Sequence, residues 1–155
     1  VLEKKIHLNK NLSSYFINKY FHPNLHINIT KKLLSIANTS IDISDGLITD
    51  LEKLINNQKL SYELYLNDIP ISKNLNRLID LKIIKKIKSI SSGDDYQILF
   101  TASPSKSRII SKISRSLGVK ISKIGKICTY NRRSQIINEK NKKIALKNKG
   151  YFHRF

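Results

Sequence analysis

A strand, a tight turn and an amphipathic helix follow one another without a linker between residues 40 and 57, and this segment constrains the fold most. Apolar and polar residues alternate in Ser40–Ser44, as in a half-buried strand, and Asp45-Gly46 ends it with a turn. Apolar residues then recur at helical spacing, at Leu47, Leu51, Leu54 and Ile55. Strand, turn and helix are therefore contiguous, and the acids of this segment fall at the end of the strand.

The rest of the chain interleaves further helices with further strands. Helical spacing or helix caps predict helices over 9–21, Thr30–Ala37, Ser72–Lys88 and Ser103–Leu117. Alternation predicts strands over Leu60–Leu66, Tyr96–Ala102 and Val119–Thr129, and a short strand pair within Ser134–Leu146. We therefore expect an α+β fold, with one mixed or antiparallel sheet covered by helices, in a single domain over residues 1–155.

The formal net charge of +18 suggests a polyanionic partner at first sight. However, 64 of the 155 residues are Lys, Ile or Asn, and all three types have A/T-rich codons. An A/T-rich genome explains this excess at least as well as nucleic-acid binding does. The informative residues are then those that run against that bias: the 11 acids, the 5 Gly and the 3 Pro.

The chain has the character of a cytoplasmic protein. The single Cys128 excludes an internal disulfide framework and a cysteine-based zinc site. No apolar run reaches the roughly 18 to 20 residues that span a bilayer, and the N-terminus lacks the apolar region of a signal peptide. We expect no membrane partner.

Two acids stand where the first strand meets its turn. Asp42 and Asp45 flank Ser44, and carboxylates at a strand end suit a hard cation such as Mg²⁺. Gly46 and the free N–H groups at the start of the following helix suit a phosphate oxygen. The alternative is that Ser44 and Asp45 simply cap the helix.

A second acid pair, Asp94-Asp95, comes just before the predicted strand over Tyr96–Ala102. Adjacent carboxylates repel each other unless solvent, a cation or a donor-rich ligand compensates their charge. The alternative is an exposed loop with two solvated acids. Both acid clusters nevertheless fall at strand ends, which makes both candidates for one binding site.

These two segments, Ala37–Leu47 and Ser92–Tyr96 leading into Phe100, resemble the thiamine-monophosphate kinase family. An Asp-x-Ser-Asp-Gly element also occurs in related enzymes, but its pairing with Gly-Asp-Asp-Tyr is more specific to the thiamine kinases. Further matches follow in order at Tyr20–Pro23, Ile124–Ile127 and Gly150–Tyr151 with His153. The resemblance implies the fold of the C-terminal domain of the aminoimidazole ribonucleotide synthetase-like superfamily.

The resemblance also implies an activity: Mg²⁺-assisted transfer of the ATP γ-phosphoryl group to thiamine monophosphate, giving thiamine diphosphate. It implies Asp45 as the catalytic residue, Asp42 and Asp45 as Mg²⁺ ligands, Ser44 as an ATP contact, and Asp94 and Tyr151 as thiamine monophosphate contacts. The family's N-terminal ATP-binding domain is absent from this chain, and a homodimer is expected of the full-length family.

Two other functions compete with this interpretation. The charge and the basic runs 82–88 and 140–149 are compatible with a nucleic-acid-binding module, but no nucleic-acid motif accompanies them. Another ATP-using enzyme of the same superfamily is the second alternative, and the joint presence of both acid motifs argues against it. We therefore expect no nucleic-acid partner.

Overall fold

The computed structural model describes residues 6–55, 58–129 and 133–144. Its helices are α1 (Lys10–Phe21), α2 (Ile27–Ile36), α3 (Leu47–Leu54), α4 (Lys73–Asp80), α5 (Lys86–Ser89) and α6 (Ser107–Leu117). Its strands are β1 (Thr39–Asp42), β2 (Leu60–Tyr65), β3 (Ile98–Thr101), β4 (Gly125–Thr129), β5 (Gln135–Ile137) and β6 (Lys143–Ile144). The predicted α+β class is confirmed.

The strands form two sheets rather than the single sheet expected from the sequence. β1 pairs with β3 in an antiparallel two-stranded sheet. The other sheet is mixed and has the order β4-β2-β5-β6, with β2 parallel to β5 and antiparallel to β4. Alternation along a strand reveals which side chains share a face, but it carries no information about which strand pairs with which.

Two hydrophobic clusters hold α2, α3 and α6 against these sheets. In the larger cluster, α3 packs through Ile48 and Leu51 among core residues that include Leu64 of β2 and Ile136 of β5. The smaller cluster joins α2 to α6 and includes four buried residues, Ile29, Leu33, Ile36 and Ile113. The apolar stripe predicted for α3 therefore does face the core, and it fixes the helix that follows the Asp-Gly turn.

The helix predicted over Ser72–Lys88 is two helices. Ser72 caps α4 as its hydroxyl accepts a hydrogen bond from the Leu75 N–H at 3.1 Å. The helix ends at Asp80, and Lys82 then adopts a left-handed backbone with φ of 58°. A left-handed residue cannot continue an α-helix, so α5 starts afresh at Lys86.

The remaining predicted elements are present with shifted bounds: α2 begins three residues before the predicted Thr30 and ends one residue before the predicted Ala37. The strand expected over Val119–Thr129 starts only at Gly125. Ahead of α6, residues 104–106 form a short 3₁₀ turn, and Gly118 ends the helix as predicted. Across the described ranges, no helix has the length and apolar character needed to cross a membrane.

Truncation of Leu64 tests whether the larger cluster carries the stability. Leu64 is only 2% exposed, so Leu64→Ala is expected to lower the free energy of unfolding by about 3 kcal/mol through lost burial and a cavity. Leu34→Ala is the matched control, because Leu34 is 90% exposed and its loss should cost less than about 0.5 kcal/mol. Urea denaturation measures both, and equal effects would contradict the packing described.

Candidate active site

Pairing of β1 with β3 brings the two acid-containing segments to the same edge of a sheet. Hydrogen bonds between them continue past the ends of the strands. The Tyr96 N–H donates to the Ile43 carbonyl at 2.9 Å, and the Asp94 N–H donates to the Ser44 carbonyl at 2.9 Å. The loop 44–46 and the loop 91–96 therefore form one continuous surface at this edge.

Two glycines allow these loops to touch through their backbones. A Cβ atom on Gly93 would lie 2.3 Å from the Ser44 carbonyl oxygen, closer than real Cβ atoms approach a neighbour. Gly46 has φ of +117°, and a Cβ there would lie 3.1 Å from the Ser91 carbonyl carbon. Both positions therefore require glycine, one for space and the other chiefly for its backbone conformation.

Capping of α3 by Ser44 or Asp45, the alternative function of these residues, is not observed. Gly46 occupies the N-cap position, and no side chain there accepts a hydrogen bond from the helix. Instead, the Leu47 N–H donates to the Ile90 carbonyl at 3.0 Å. The side chains of Ser44 and Asp45 are therefore not used to start the helix.

Asp50, to which the sequence interpretation gave no function, organises the turn from inside. Its side chain is buried in α3, and one carboxylate oxygen accepts the N–H groups of Ser44 and Asp45, each at 2.9 Å. The available signal was its position: Asp50 lies three residues after Leu47 and one before Leu51, on the apolar stripe of the helix.

Lys53 joins the two carboxylates of this turn. Its ammonium donates to Asp50 Oδ1 at 2.9 Å and also contacts the carboxylate of Asp45. Hydrogen bonds to Asp45 and then to Asp50 raise the pKa of Lys53 above its ordinary value. The charge of Asp45 is therefore balanced by a lysine of the same chain.

The carboxylates of Asp42 and Asp45 fit part of a magnesium site. Asp42 is exposed at the end of β1, whereas Asp45 is half-buried beside Lys53. Within the part of the chain that the structure describes, no three His, Cys, Asp or Glu side chains converge as metal ligands. Mg²⁺ commonly takes only one or two protein carboxylates and completes its shell with phosphate oxygens and water, so the donor set is compatible with it.

The loop around Asp94 and Asp95 is held in an uncommon backbone conformation. Asp94 and Tyr96 have φ of 64° and 51°, in the left-handed region, which costs of order 1 kcal/mol for such residues. The Tyr96 hydroxyl donates to Asp94 Oδ1 at 3.3 Å. The side-chain oxygen Oε1 of Gln97 lies 3.0 Å from Nε2 of His26.

Loss of solvation is the main cause that raises the pKa of Asp95 to about 6, and the negative charge of Asp94 makes a smaller contribution. Asp95 is an exposed residue, so water screens part of this effect. Tyr151, the other predicted contact of thiamine monophosphate, lies outside the described residues, as do Gly150 and His153.

No family model matches the chain. Among curated proteins, it is 35% identical over 155 residues to the thiamine-monophosphate kinase of Buchnera aphidicola subsp. Schizaphis graminum. That alignment covers 99% of this chain but 47% of the relative, so the chain spans about half the length of the protein it matches.

Solved structures of thiamine-monophosphate kinases have the same fold. The enzyme from Stenotrophomonas maltophilia K279a superimposes with a TM-score of 0.72 at 20% identity, over 86% of this chain and 41% of that one. AaThiL complexed with AMPPCP and TMP superimposes with a TM-score of 0.70 at 24% identity, over 97% of this chain and 45% of that one. The resemblance drawn from the two acid motifs is confirmed, and so is the expected fold.

Substitution of Gly93 tests the contact between the two loops. The methyl group of Gly93→Ala would overlap the Ser44 carbonyl, so the loops must separate, and we expect a fall of several degrees in Tm. Ser92→Ala introduces the same residue one position earlier, where the side chain is exposed, and should change Tm little. Equal melting curves for the two variants would contradict the close approach.

Neutralisation of Asp95 tests its electrostatic environment. A carboxyl whose pKa is raised by folding is more easily ionised in the unfolded chain, so its ionisation destabilises the fold as pH rises from about 4 to 6. Asp95→Asn should therefore melt at a higher temperature than wild type at about pH 7 and at the same temperature near pH 3.5. Asp80→Asn, an exposed acid on α4, is the control, and the same pH-dependent gain there would contradict the prediction.

Proposed function

We propose that this chain forms the C-terminal part of a thiamine-monophosphate kinase, which transfers the γ-phosphoryl group of ATP to thiamine monophosphate. The observation that carries the proposal is the junction of the loops 44–46 and 91–96 at one sheet edge. These loops hold the two motifs on which the resemblance rests. Similarity to a thiamine-monophosphate kinase over 99% of the chain supports it.

Ligands of a relative support the same substrates. The neighbouring structure AaThiL contains AMPPCP, a non-hydrolysable analogue of ATP, together with TMP. A site for both must hold two phosphorylated anions close together, and their repulsion has to be screened. Carboxylates that hold a cation, within a basic chain, suit that task.

The chain matches only 47% of the Buchnera protein, so about half of that relative has no counterpart in the chain. We propose that an N-terminal ATP-binding domain, carried upstream or by a second chain, completes the site. This accounts for the incomplete set of metal ligands among the described residues. The edge formed by loops 44–46 and 91–96 would then face that domain.

In this site Asp42 and Asp45 would hold Mg²⁺, with Ser44 against ATP and Asp94 against thiamine monophosphate. Bound there, Mg²⁺ supplies positive charge that screens the phosphates and stabilises the transferring phosphoryl group. The residues of this chain orient the reactants: the Asp94 backbone is tied to Ser44, so the substrate contact and the ATP contact are fixed relative to each other. In-line transfer needs positioning more than covalent chemistry, and no covalent nucleophile is assigned.

The Tyr151 contact, the homodimer and the cytoplasmic location stay predictions. Neither alternative function is favoured, because the Buchnera relative is a thiamine-monophosphate kinase and the neighbouring structure AaThiL is complexed with AMPPCP and TMP.

Neutralisation of Asp45 tests the proposal in the intact protein that carries this chain. Thiamine diphosphate formation is followed by chromatography with ATP, Mg²⁺ and thiamine monophosphate. Asp45→Asn removes a proposed metal ligand and should lower kcat/KM at least about a hundredfold, the size of effect that loss of one charge-stabilising group produces. Asp80→Asn, on the exposed surface of α4, should retain wild-type turnover.

Failure can take two forms. An intact protein that makes no thiamine diphosphate would overturn the assigned activity. Full turnover by Asp45→Asn would leave the activity in place but overturn the function assigned to Asp45.

A further inference from the structure

A fully buried carboxylate lies directly beneath the loop that carries Ser44 and Asp45. Asp50 has 0% exposure, and its helix neighbours three residues before and four residues after it, Leu47 and Leu54, are buried apolar residues of the core. Burial of a charged carboxylate is costly unless strong hydrogen bonds replace its water. An alanine or a leucine at this position would serve helix packing equally well, so packing alone does not explain the acid.

All of the hydrogen bonds given to this carboxylate fasten the loop. Oδ2 accepts the N–H groups of both Ser44 and Asp45 at 2.9 Å, and Oδ1 accepts Lys53 Nζ at 2.9 Å. Lys53 in turn contacts the carboxylate of Asp45. Two consecutive residues are thus held by their backbones, and one of them also by its side chain.

We infer that Asp50 is a positioning residue for the site: its buried charge fixes the backbone of Ser44 and Asp45, and through Lys53 it fixes the direction of the Asp45 carboxylate. This inference rests on the proposed function, in which Ser44 and Asp45 contact ATP and Mg²⁺. Charge-assisted hydrogen bonds are shorter and about twice as strong as neutral ones, which suits a loop that must not move when its ligands bind.

Two substitutions separate the charge of Asp50 from its hydrogen bonds. Asp50→Asn retains one acceptor oxygen, so the Ser44 and Asp45 N–H groups can still bond to it, but the charge that binds Lys53 is lost. Asp50→Leu has the same branching and number of side-chain heavy atoms, with a larger volume, and removes the acceptor entirely. It leaves the two N–H groups without their acceptor.

Backbone amide hydrogen exchange by NMR on the folded 155-residue chain measures the effect. In Asp50→Asn, exchange at Ser44 and Asp45 should quicken about tenfold, the difference between a charged and a neutral acceptor. In Asp50→Leu it should quicken about a hundredfold or more at the same two amides. Strand β2 provides reference amides in Tyr65, whose N–H donates to the Ile124 carbonyl at 2.8 Å, and in Ser61, which faces β4 in the same ladder. Their exchange should stay within about threefold of wild type.

Glu63→Gln is the matched control. Glu63 is also a buried carboxylate held by a lysine, accepting Lys126 Nζ at 2.8 Å, but it belongs to the four-stranded sheet. Its neutralisation should leave exchange at Ser44 and Asp45 unchanged.

Several results would overturn the inference. Unchanged exchange at Ser44 and Asp45 in Asp50→Asn would do so, as would equal acceleration at these amides and at the strand reference amides, because that pattern indicates only general loss of stability. Should Asp50→Leu fail to fold, Asp50→Asn decides alone. Since amide exchange requires neither ATP nor thiamine monophosphate, a negative result here is distinguishable from failure of the kinase assay.

Discussion

Backbone contact between the loops 44–46 and 91–96 is the constraint on which the candidate site depends. The antiparallel pairing of β1 with β3 brings the loops together, and Gly93 lets one backbone lie against the Ser44 carbonyl. Asp50 then holds the Ser44 side of the junction from within the core. A side chain larger than hydrogen at Gly93 or an apolar one at Asp50 would disturb the same surface from opposite sides.

Sequence periodicity predicted the parts of this arrangement that depend on local spacing. The stripe from Leu47 to Leu54 predicted α3, and the placement of acids at strand ends predicted both loops of the candidate site. The break at Lys82 was missed because a left-handed lysine depends on how the chain packs, not on a residue type that marks turns. The pairing of β1 with β3 was missed too, since more than 50 residues separate the two strands.

The function of Asp50 shows a different limit of sequence interpretation. An aspartate in the first turn of a helix ordinarily stabilises the helix from the solvent side. Asp50 instead faces inward. Its carboxylate accepts hydrogen bonds from the N–H groups of the preceding turn, rather than from water at the helix surface. Only the tertiary structure distinguishes these two cases.

The net charge of +18 contributes less to the proposed function than the acids do. It favours the approach of anionic substrates through long-range attraction but selects none of them.

The most direct test of the central claim is where ligands bind. Amide NMR spectra of the intact protein that carries this chain are recorded during titration with Mg²⁺ and AMPPCP, and then with thiamine monophosphate. The account predicts that the largest shifts fall in residues 42–46 and 92–97, on both loops at once. Shifts confined to the basic run 82–88, or to only one of the two loops, would contradict a single site built from both.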